Sequence, residues 1–393
     1  MNTAKPPRRA ADGRPLVCHI VFRFDYGGLE NGLVNLINGL PAAEFRHAIV
    51  ALTEASEFRR RIARDDVEVH ELHKRPGKDP RAYIRLHSLL RKLGPNIVHT
   101  RNIGTMDCAV VAALAGIPCR VHGEHGWDVH DPDGITPKYL RMRRMFGHFV
   151  RQFVTVSADL ERWLVEKVGI EPGKVRRICN GVDTDRFSPR TGAGHGALES
   201  RFPPGSVVFC SVTRFSEIKD PLNLVRAFVA ARGRLLKCGI DARLMMVGDG
   251  PMRGAALELL TSSGCSGAAW LPGSRDDVAH LLASVDVFVL GSRREGISNT
   301  VLEAMASGLP VIASETGGNI ELVQSGVTGA LVPPGDSAAL AQVVFDYACD
   351  AELRARQGAA ARACAVHRFS LGRMIAEYRR LYLEECSRTG VVN

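Results

Sequence analysis

Short runs rich in valine, isoleucine and leucine recur along the chain, and between them apolar positions return every three or four residues, the spacing of helices. In the first half LVCHIVF (16–22), HAIVAL (47–52), VEVHEL (67–72), NIVHT (96–100), CRVHGE (119–124) and FVTVS (153–157) predict strands. The second half repeats the pattern with VVFCSV (207–212), RLMMVG (243–248), DVFVLG (286–291), PVIAS (310–314) and GALVPP (329–334). Most runs are apolar almost without a break, as a strand covered on both faces requires. Segments such as LENGLVNLINGL and RAYIRLHSLLRKLG separate them with helical periodicity. Strand alternating with helix implies βαβ units and parallel sheets, an α/β protein. SPRTGAGHGALESRFPPGS (188–206) is aperiodic and rich in Gly, Pro and Ser, and is expected to be a linker. The expected architecture is therefore two doubly wound, Rossmann-like domains, residues 1–190 and 191–370, facing a central cleft, followed by a helical segment at 371–393.

A length of 393 residues suits two such domains. A hydrophobic share of 45% and a charged share of 24% are those of a soluble globular protein. No apolar run approaches the ~18 residues of a membrane span, and the start MNTAKPPRRAADGRP has no signal-peptide core. Ten cysteines are scattered without a CxxC pair, and Cys18, Cys179 and Cys210 lie in apolar strand-like runs. Reduced thiols used as small hydrophobes point to the cytoplasm, without a metal cluster or a disulfide framework. Residues 1–190 carry 31 Lys and Arg against 22 Asp and Glu, while the remainder carries 20 of each, so the whole excess of +9 lies in the first half.

Ligands of open parallel sheets bind beyond the carboxyl ends of the strands, where loops meet helix N-termini. In the loop DYGGLENG (25–32), Gly27 and Gly28 permit close backbone approach to a ligand, or simply make a tight turn. The loop EHGWDVHDPDG gathers His125, Asp128, His130 and Asp131 close to His122, but in no standard zinc spacing, so no metal is expected and His125 is the candidate substrate contact. In VTRFSEIK (212–219), Arg214 and Lys219 suit a diphosphate, or are two solvated charges. VGDGPM (247–252) is too short for a dinucleotide fingerprint, which disfavours a nicotinamide dehydrogenase. In REGISNTVLEAMASGLPVIAS, a loop with Glu295 and Gly296 opens a helix that ends on Gly308. Thr300 with Glu303 matches a capping box. That would explain Glu303, but it leaves Glu295, Gly296 and the polar helix start unexplained. Helix-start amides for phosphate and flanking acids for hydroxyls suit a sugar nucleotide.

EGISNTVLEAMASGLPVIAS resembles the Glu-x7-Glu signature of the family 4 retaining glycosyltransferases, which have the two-domain GT-B fold. The resemblance spans nearly the whole chain: the Gly-Gly loop with Glu30, His125, Ser157 in FVTVSADL, NGVDTDRF (180–187), Arg214 and Lys219, GDGP, and ETGGNIELV (315–323). GGLENGLVNLINGLP, HTRN and GEHGWDV look more closely like the sugar transferases of bacterial exosortase (PEP-CTERM) systems. The resemblance implies that Arg214 and Lys219 bind the donor diphosphate, Glu303 the ribose and Glu295 the transferred sugar. It further implies that the backbone of Ser298, Asn299, Thr300 and Val301, with Gly248 and Gly296 in their loops, completes the donor site. Gly27 and Gly28 would close on the donor, and His125 would contact the sugar near the reacting centre. Residues 371–393 would pack back on the first domain. No cofactor and no metal is implied, and Asp183 and Asp185 in NGVDTDRF are read as structural. A UDP-sugar is favoured over GDP-mannose as donor, with a glycan or polyprenyl-linked acceptor and no nucleic acid. The rival on the same fold is a non-catalytic sugar-nucleotide-binding protein. The basic segments 81–94 and 138–153 (KYLRMRRMFGHFVRQF) are either solvated helices with an apolar side in the core, or a surface for anionic lipid at the inner membrane face.

Overall fold

The computed structural model describes residues 13–127, 131, 133–190, 198 and 200–390. The chain forms two compact units, Met1–Asn180 with Gly372–Asn393, and Gly181–Leu371. Seven parallel strands make the sheet of the first unit: β1 Leu16–Val21, β2 Arg46–Ala51, β3 Glu68–Glu71, β4 Ile97–Arg101, β5 Cys119–Glu124, β6 Gln152–Thr155 and β7 Val175–Arg177. Their order across the sheet is β3-β2-β1-β4-β5-β6-β7. Six parallel strands make the second: β8 Val207–Val212, β9 Ala242–Val247, β10 Ala269–Gly273, β11 Val287–Leu290, β12 Val311–Ser314 and β13 Gly329–Val332, in the order β10-β9-β8-β11-β12-β13. Both are doubly wound, as the alternation of apolar runs predicts.

Two strands escape the pattern for physical reasons. The sequence of β7 is Val-Arg-Arg at a sheet edge, where only part of each side chain is covered. At the other sheet's edge β10 contains Pro272, tolerated there because an edge strand need not donate from every residue. Of the three strand-like cysteines, Cys18 and Cys210 are buried in β1 and β8, while Cys179 lies just past β7 and is half-buried.

The boundary between the units also differs from the expected residue 190. NGVDTDRF from Gly181 onward belongs to the second unit, because Val182 N–H donates to Phe369 O and Leu371 N–H to Val182 O, each at 2.8 Å. Arg362 adds bonds from its NH1 to the carbonyls of Thr184 (3.0 Å) and Phe187 (2.7 Å). In this segment the Asp183 carboxylate accepts from the backbone of Asp185 and Arg186, which ties off a turn. The Gly- and Pro-rich stretch therefore begins after the crossing point, and Leu198 and Phe202 within it are buried. Residues 191–197 and 199 of that stretch lie outside the described residues.

In the first unit, strand parity sorts the side chains. Cys18, Ile20, Val50 and Val98 enter one apolar cluster, with Leu86 and Leu90 from the helix Pro80–Leu93. The opposite face of β1, β2 and β4 carries His19, His47, His99 and Arg101. The C-terminal helix Leu371–Arg388 covers this face with Tyr378 and Tyr382, both buried, and the Tyr382 hydroxyl bonds His99 Nδ1 at 2.8 Å. Among the described residues no helix is long and apolar enough to cross a membrane.

Candidate active site

In the second unit the chain runs from β8 to β9 on one side and from β11 to β12 on the other, so the loops after β8 and β11 stand at the switch point, where open parallel sheets take their ligands. Lys219 lies in the loop after β8 and Glu295 in the loop after β11. Lys219 Nζ meets Glu295 Oε1 at 2.5 Å, with the Glu295 side chain 6% exposed and that of Lys219 20% exposed. Two residues that the sequence pattern assigns to different parts of one ligand are thus already paired. A second link joins the same loops: Arg293 Nε donates to Asp220 Oδ2 at 2.9 Å, and Arg293 N–H to Ile218 O at 2.8 Å. Neither Arg293 nor Asp220 carries a motif signal. Asp220 sits at φ 43°, which non-glycine residues avoid, and directly precedes the helix Pro221–Lys237. Arg214 is exposed and has no side-chain partner among the described residues.

Glycines let these loops touch. A Cβ on Gly248 would overlap the carbonyl oxygen of Thr213, and one on Gly317 that of Glu295. Gly248 at φ 128° and Gly317 at φ 50° also occupy backbone regions that favour glycine. The GDG and TGG turns are therefore backing plates for the loops that carry Arg214 and Glu295.

The helix Asn299–Ala306 starts differently from the expected Thr300–Glu303 box. Its N-cap is Ser298, whose Oγ accepts from Val301 N–H at 3.3 Å. That places Val301 third in the helix and Glu303 fifth, beyond the reach of a capping box. Capping no longer accounts for Glu303, which is half-buried. It also means that Val301 N–H serves the cap in this structure. The other end matches expectation: Gly308 has φ 76°, and Leu309 N–H reaches Ala304 O while Gly308 N–H reaches Met305 O, a Schellman closure.

The first unit has its own polar centre at the carboxyl ends of β4 and β5. Arg101 is buried and contacts neutral groups: its NH2 lies 3.2 Å from His19 Nδ1 and 3.4 Å from His99 Nδ1. A guanidinium only donates, so His19 must accept at Nδ1 and carry its proton on Nε2, which then donates to His47 Nδ1 at 3.0 Å. Burial, then the charge of Arg101, push His19 and His99 well below the ordinary histidine range. His125 is lowered to about 3 by burial, the charge of Arg101 and then that of His122. It is thus a neutral imidazole at physiological pH, and its Nε2 is shielded and without a hydrogen-bond partner among the described residues. Gly123 gives it room, since a Cβ there would come 2.5 Å from His125 Nε2. Asn102, strained at φ 54°, fixes the start of the loop by accepting His125 N–H on Oδ1 at 2.8 Å. Gly27 is the N-cap of the helix Gly28–Gly39, and a Cβ on it would run into the Glu30 carboxylate, so the turn accommodates that acid. Ser157 caps the helix Ala158–Trp163, its Oγ accepting from Leu160 N–H at 3.2 Å.

The acids of the His-rich loop have structural partners. Arg143 Nε donates to Glu124 at 2.7 Å, its NH1 lies 3.9 Å from Asp131, and its guanidinium stacks 4.8 Å from the Trp163 ring. Burial alone would raise the Glu124 carboxyl, but the charge of Arg143 and the bond to His122 overcome it and hold the group near 2. Asp128 and His130 lie outside the described residues. No group of three or more His, Cys, Asp or Glu among the described residues is placed to hold a metal ion.

Two doubly wound parallel units, the second with paired polar loops at its switch point, correspond to the GT-B class of glycosyltransferase fold. The comparisons with known proteins agree. Residues 26–186 match the model described as Glycosyltransferase Family 4, and residues 206–350 that of Glycosyl transferases group 1. The chain is 30% identical over 268 residues to the UDP-Gal:alpha-D-GlcNAc-diphosphoundecaprenol alpha-1,3-galactosyltransferase of Escherichia coli, covering 66% of this chain and 68% of that one. It is 27% identical over 340 residues to a GDP-mannose-dependent alpha-mannosyltransferase of Mycobacterium tuberculosis, 79% of this chain and 81% of the other. Among solved structures, Anabaena Alr3699/HepE in complex with UDP and glucose superposes with a TM-score of 0.80 at 19% identity, over 94% of this chain and 99% of that one. The chain belongs to the family 4 glycosyltransferases.

Proposed function

We propose that this glycosyltransferase moves a hexose from a nucleotide sugar, a UDP-sugar before GDP-mannose, to a glycan or polyprenyl-linked acceptor with retention of anomeric configuration and without a metal. The observation that carries the reading is the Lys219–Glu295 pair at the β8/β11 switch point, flanked by Arg214 and by the capped helix start at Ser298. In this reading Lys219 and Arg214 neutralise the donor diphosphate, and Glu295 both aligns Lys219 and accepts hydroxyls of the sugar. Glu303 holds the ribose, and the amides at the start of the helix complete the phosphate site. The bond from the anomeric carbon to the phosphate oxygen breaks as the acceptor oxygen bonds to the same face of that carbon. The acceptor's proton passes to the departing phosphate, whose charge the cations stabilise. His125, neutral, contributes a hydrogen bond to the sugar and no charge.

The acceptor class rests on the diphosphoundecaprenol substrate in the name of the Escherichia coli relative and on the basic first unit. We place the activity in exopolysaccharide assembly of the exosortase-associated type on the motifs GGLENGLVNLINGLP, HTRN and GEHGWDV, and at the inner face of the membrane on the basic segments of the first half. A panel of UDP-, GDP-, ADP- and dTDP-sugars tests the donor reading, with release of the nucleoside diphosphate as readout. Turnover of one UDP-sugar above the others is the expected result. Binding without release from any donor would favour the non-catalytic rival instead.

A further inference from the structure

A cleft of about 350 Å3 opens in the first unit at the amino ends of β5, β6 and β7, the opposite edge of the sheet from His125. Arg120, Arg151, Lys174 and Arg388 line it, against a single lining carboxylate, Glu385. Each cation is placed by the fold. Arg120 is the second residue of β5, and its guanidinium is clamped by the carbonyls of Phe149 (Nε, 2.6 Å) and Ile117 (NH1, 2.5 Å). Arg151 immediately precedes β6, and its N–H donates to Arg120 O at 2.9 Å, which keeps the two arginines side by side. Lys174 immediately precedes β7 and has no side-chain partner among the described residues.

Glu385, only 2% exposed, splits its oxygens: Oε2 lies 3.4 Å from Arg151 and Oε1 2.9 Å from Arg388. One buried acid thus orients two guanidinium groups without balancing the set. Burial, and after it the charge of Arg151, lowers the Arg120 guanidinium below its ordinary value, as crowded like charges do. His148 adds a ring whose Nδ1 is committed to the carbonyls of Arg144 and Met145. Val150 supplies the cleft's apolar lining, too little to hold an apolar guest.

We infer that this cleft is an anion site for a phosphate group carrying two or more negative charges. Arg120, its Nε and NH1 held by backbone carbonyls, contributes mainly charge, while the guanidinium nitrogens of Arg151 and Arg388 that Glu385 does not engage can meet phosphate oxygens, and Lys174 supplies a point charge at the rim. Its position at the amino ends of the strands separates it from the transfer chemistry, so its occupant is a different molecule from the donor diphosphate. The same phosphate chemistry reaches the cleft either as a free soluble phosphate or as the headgroup of an anionic lipid.

Calorimetric titration of the full chain with inorganic pyrophosphate, at constant ionic strength, tests the site. The background is Lys219→Ala, which removes competition from the loops of the second unit. We expect one stoichiometric event there, weakened about tenfold or more when Arg151→Gln and Lys174→Gln are added, the scale of losing one charge-assisted contact. If the combined variant does not fold, Lys174→Glu alone, at a residue without a structural bond, gives the same reading. Absence of binding in the Lys219→Ala chain, or equal affinity with and without the cleft substitutions, overturns the assignment. Sedimentation with phosphatidylcholine vesicles, with and without phosphatidic acid, separates the two sources. Pyrophosphate-competable binding lost in the cleft variant identifies a lipid headgroup, and pyrophosphate binding without vesicle binding identifies a soluble phosphate.

Discussion

At the scale of single residues, the Lys219–Glu295 pair changes what a substitution reports. Lys219→Ala removes a cation from the proposed phosphate site and should cost about 100-fold or more in turnover. It also strands a nearly buried carboxylate, so a stability loss of about 1–3 kcal/mol should accompany it. Glu295→Gln keeps an oxygen for Lys219 and should lower turnover with a smaller thermal shift. Melting curves and kinetics of the two single variants and the double variant form a cycle, and additive effects would mean that the pair does not act as a unit. Glu303 and Ser298 separate in the same way. Ser298→Ala should cost about 1 kcal/mol as a lost cap, whereas Glu303→Ala should weaken nucleotide binding and leave the cap intact. A melting loss at Glu303 with normal nucleotide affinity would return that residue to a structural role. The buried His47 and the half-buried His125 predict a pH response. His125 and His47 resist protonation until about pH 3, while the unfolded chain takes up protons near 6.5. The first unit is therefore at full stability above about pH 6.5 and loses it as the pH falls toward 3. Urea unfolding followed by tryptophan fluorescence in a Trp270→Phe chain, which leaves Trp127 and Trp163 of the first unit, repeated at descending pH, should show the midpoint falling, and a pH-independent midpoint would contradict the burial.

At the scale of elements, the loops hold their shape through backbone contacts that leave no room for a side chain. Gly248→Ala would drive a Cβ into Thr213 O, whereas Gly254→Ala, in the adjacent helix, meets nothing within 4 Å. The first should destabilise by 2 kcal/mol or more and reduce turnover by displacing the Arg214 loop, on the scale of about 1–3 kcal/mol for backbone strain. The second should be neutral or stabilise by about 0.5–1 kcal/mol through helix propensity. Equal melting temperatures for the two would refute the close approach. These contacts also mark the limit of what the sequence discloses. Eleven strands are legible, most of them as near-continuous apolar runs, and the two missed, β7 and β10, are edge strands broken by Arg and Pro; edge position alone does not hide a strand, since β3 and β13 are edges too. Both loops of the switch point were legible, since Lys219, Glu295 and Gly308 each stand where a strand–loop–helix reading puts them. Their pairing was not, because an ion pair between residues 76 apart has no local signature. The network around Arg101 was hidden for a related reason. Alternating His and Arg on β1, β2 and β4 reads as polar strand positions until the C-terminal helix is seen to bury them. The cap at Ser298 was missed because a neighbouring Thr-x-x-Glu offered a better match to a motif than the Ser-x-x-Val that forms.

At the scale of the whole molecule, the proposed lipid-linked acceptor raises the question of a membrane-facing surface, since no helix among the described residues is long and apolar enough to cross a membrane. The helix Pro137–Gly147 bears on it. From sequence it reads either as a solvated helix with its apolar side in the core or as a membrane surface, and its packing divides between the two, with Leu140, Met142 and Phe146 half-buried and Phe153 of the same segment fully buried. Its buried residues are Arg143 and Gly147, while Met145 and, just past its end, Phe149 are exposed at 54% and 36%. Arg143 is thereby withdrawn from any lipid surface, held by Glu124 and Trp163, and Arg144 is committed to Val168 O through its Nε at 2.8 Å. Lys138 and Arg141 remain as exposed cations beside exposed apolar side chains. Each surface cation near an anionic leaflet contributes about 1 kcal/mol, so these two with Met145 and Phe149 would give weak, reversible binding. Co-sedimentation with phosphatidylglycerol vesicles should capture the protein at low salt and release it as salt rises. Lys138→Glu with Arg141→Glu should abolish capture while leaving hydrolysis of the donor sugar unchanged, because neither residue belongs to the proposed transfer site. Met145→Ser with Phe149→Ser should lower capture at all salt concentrations, the mark of an inserted apolar contribution rather than a purely electrostatic one. A wild-type protein that stays in the supernatant at low salt would remove the membrane from this mechanism and direct the search for an acceptor to soluble glycans.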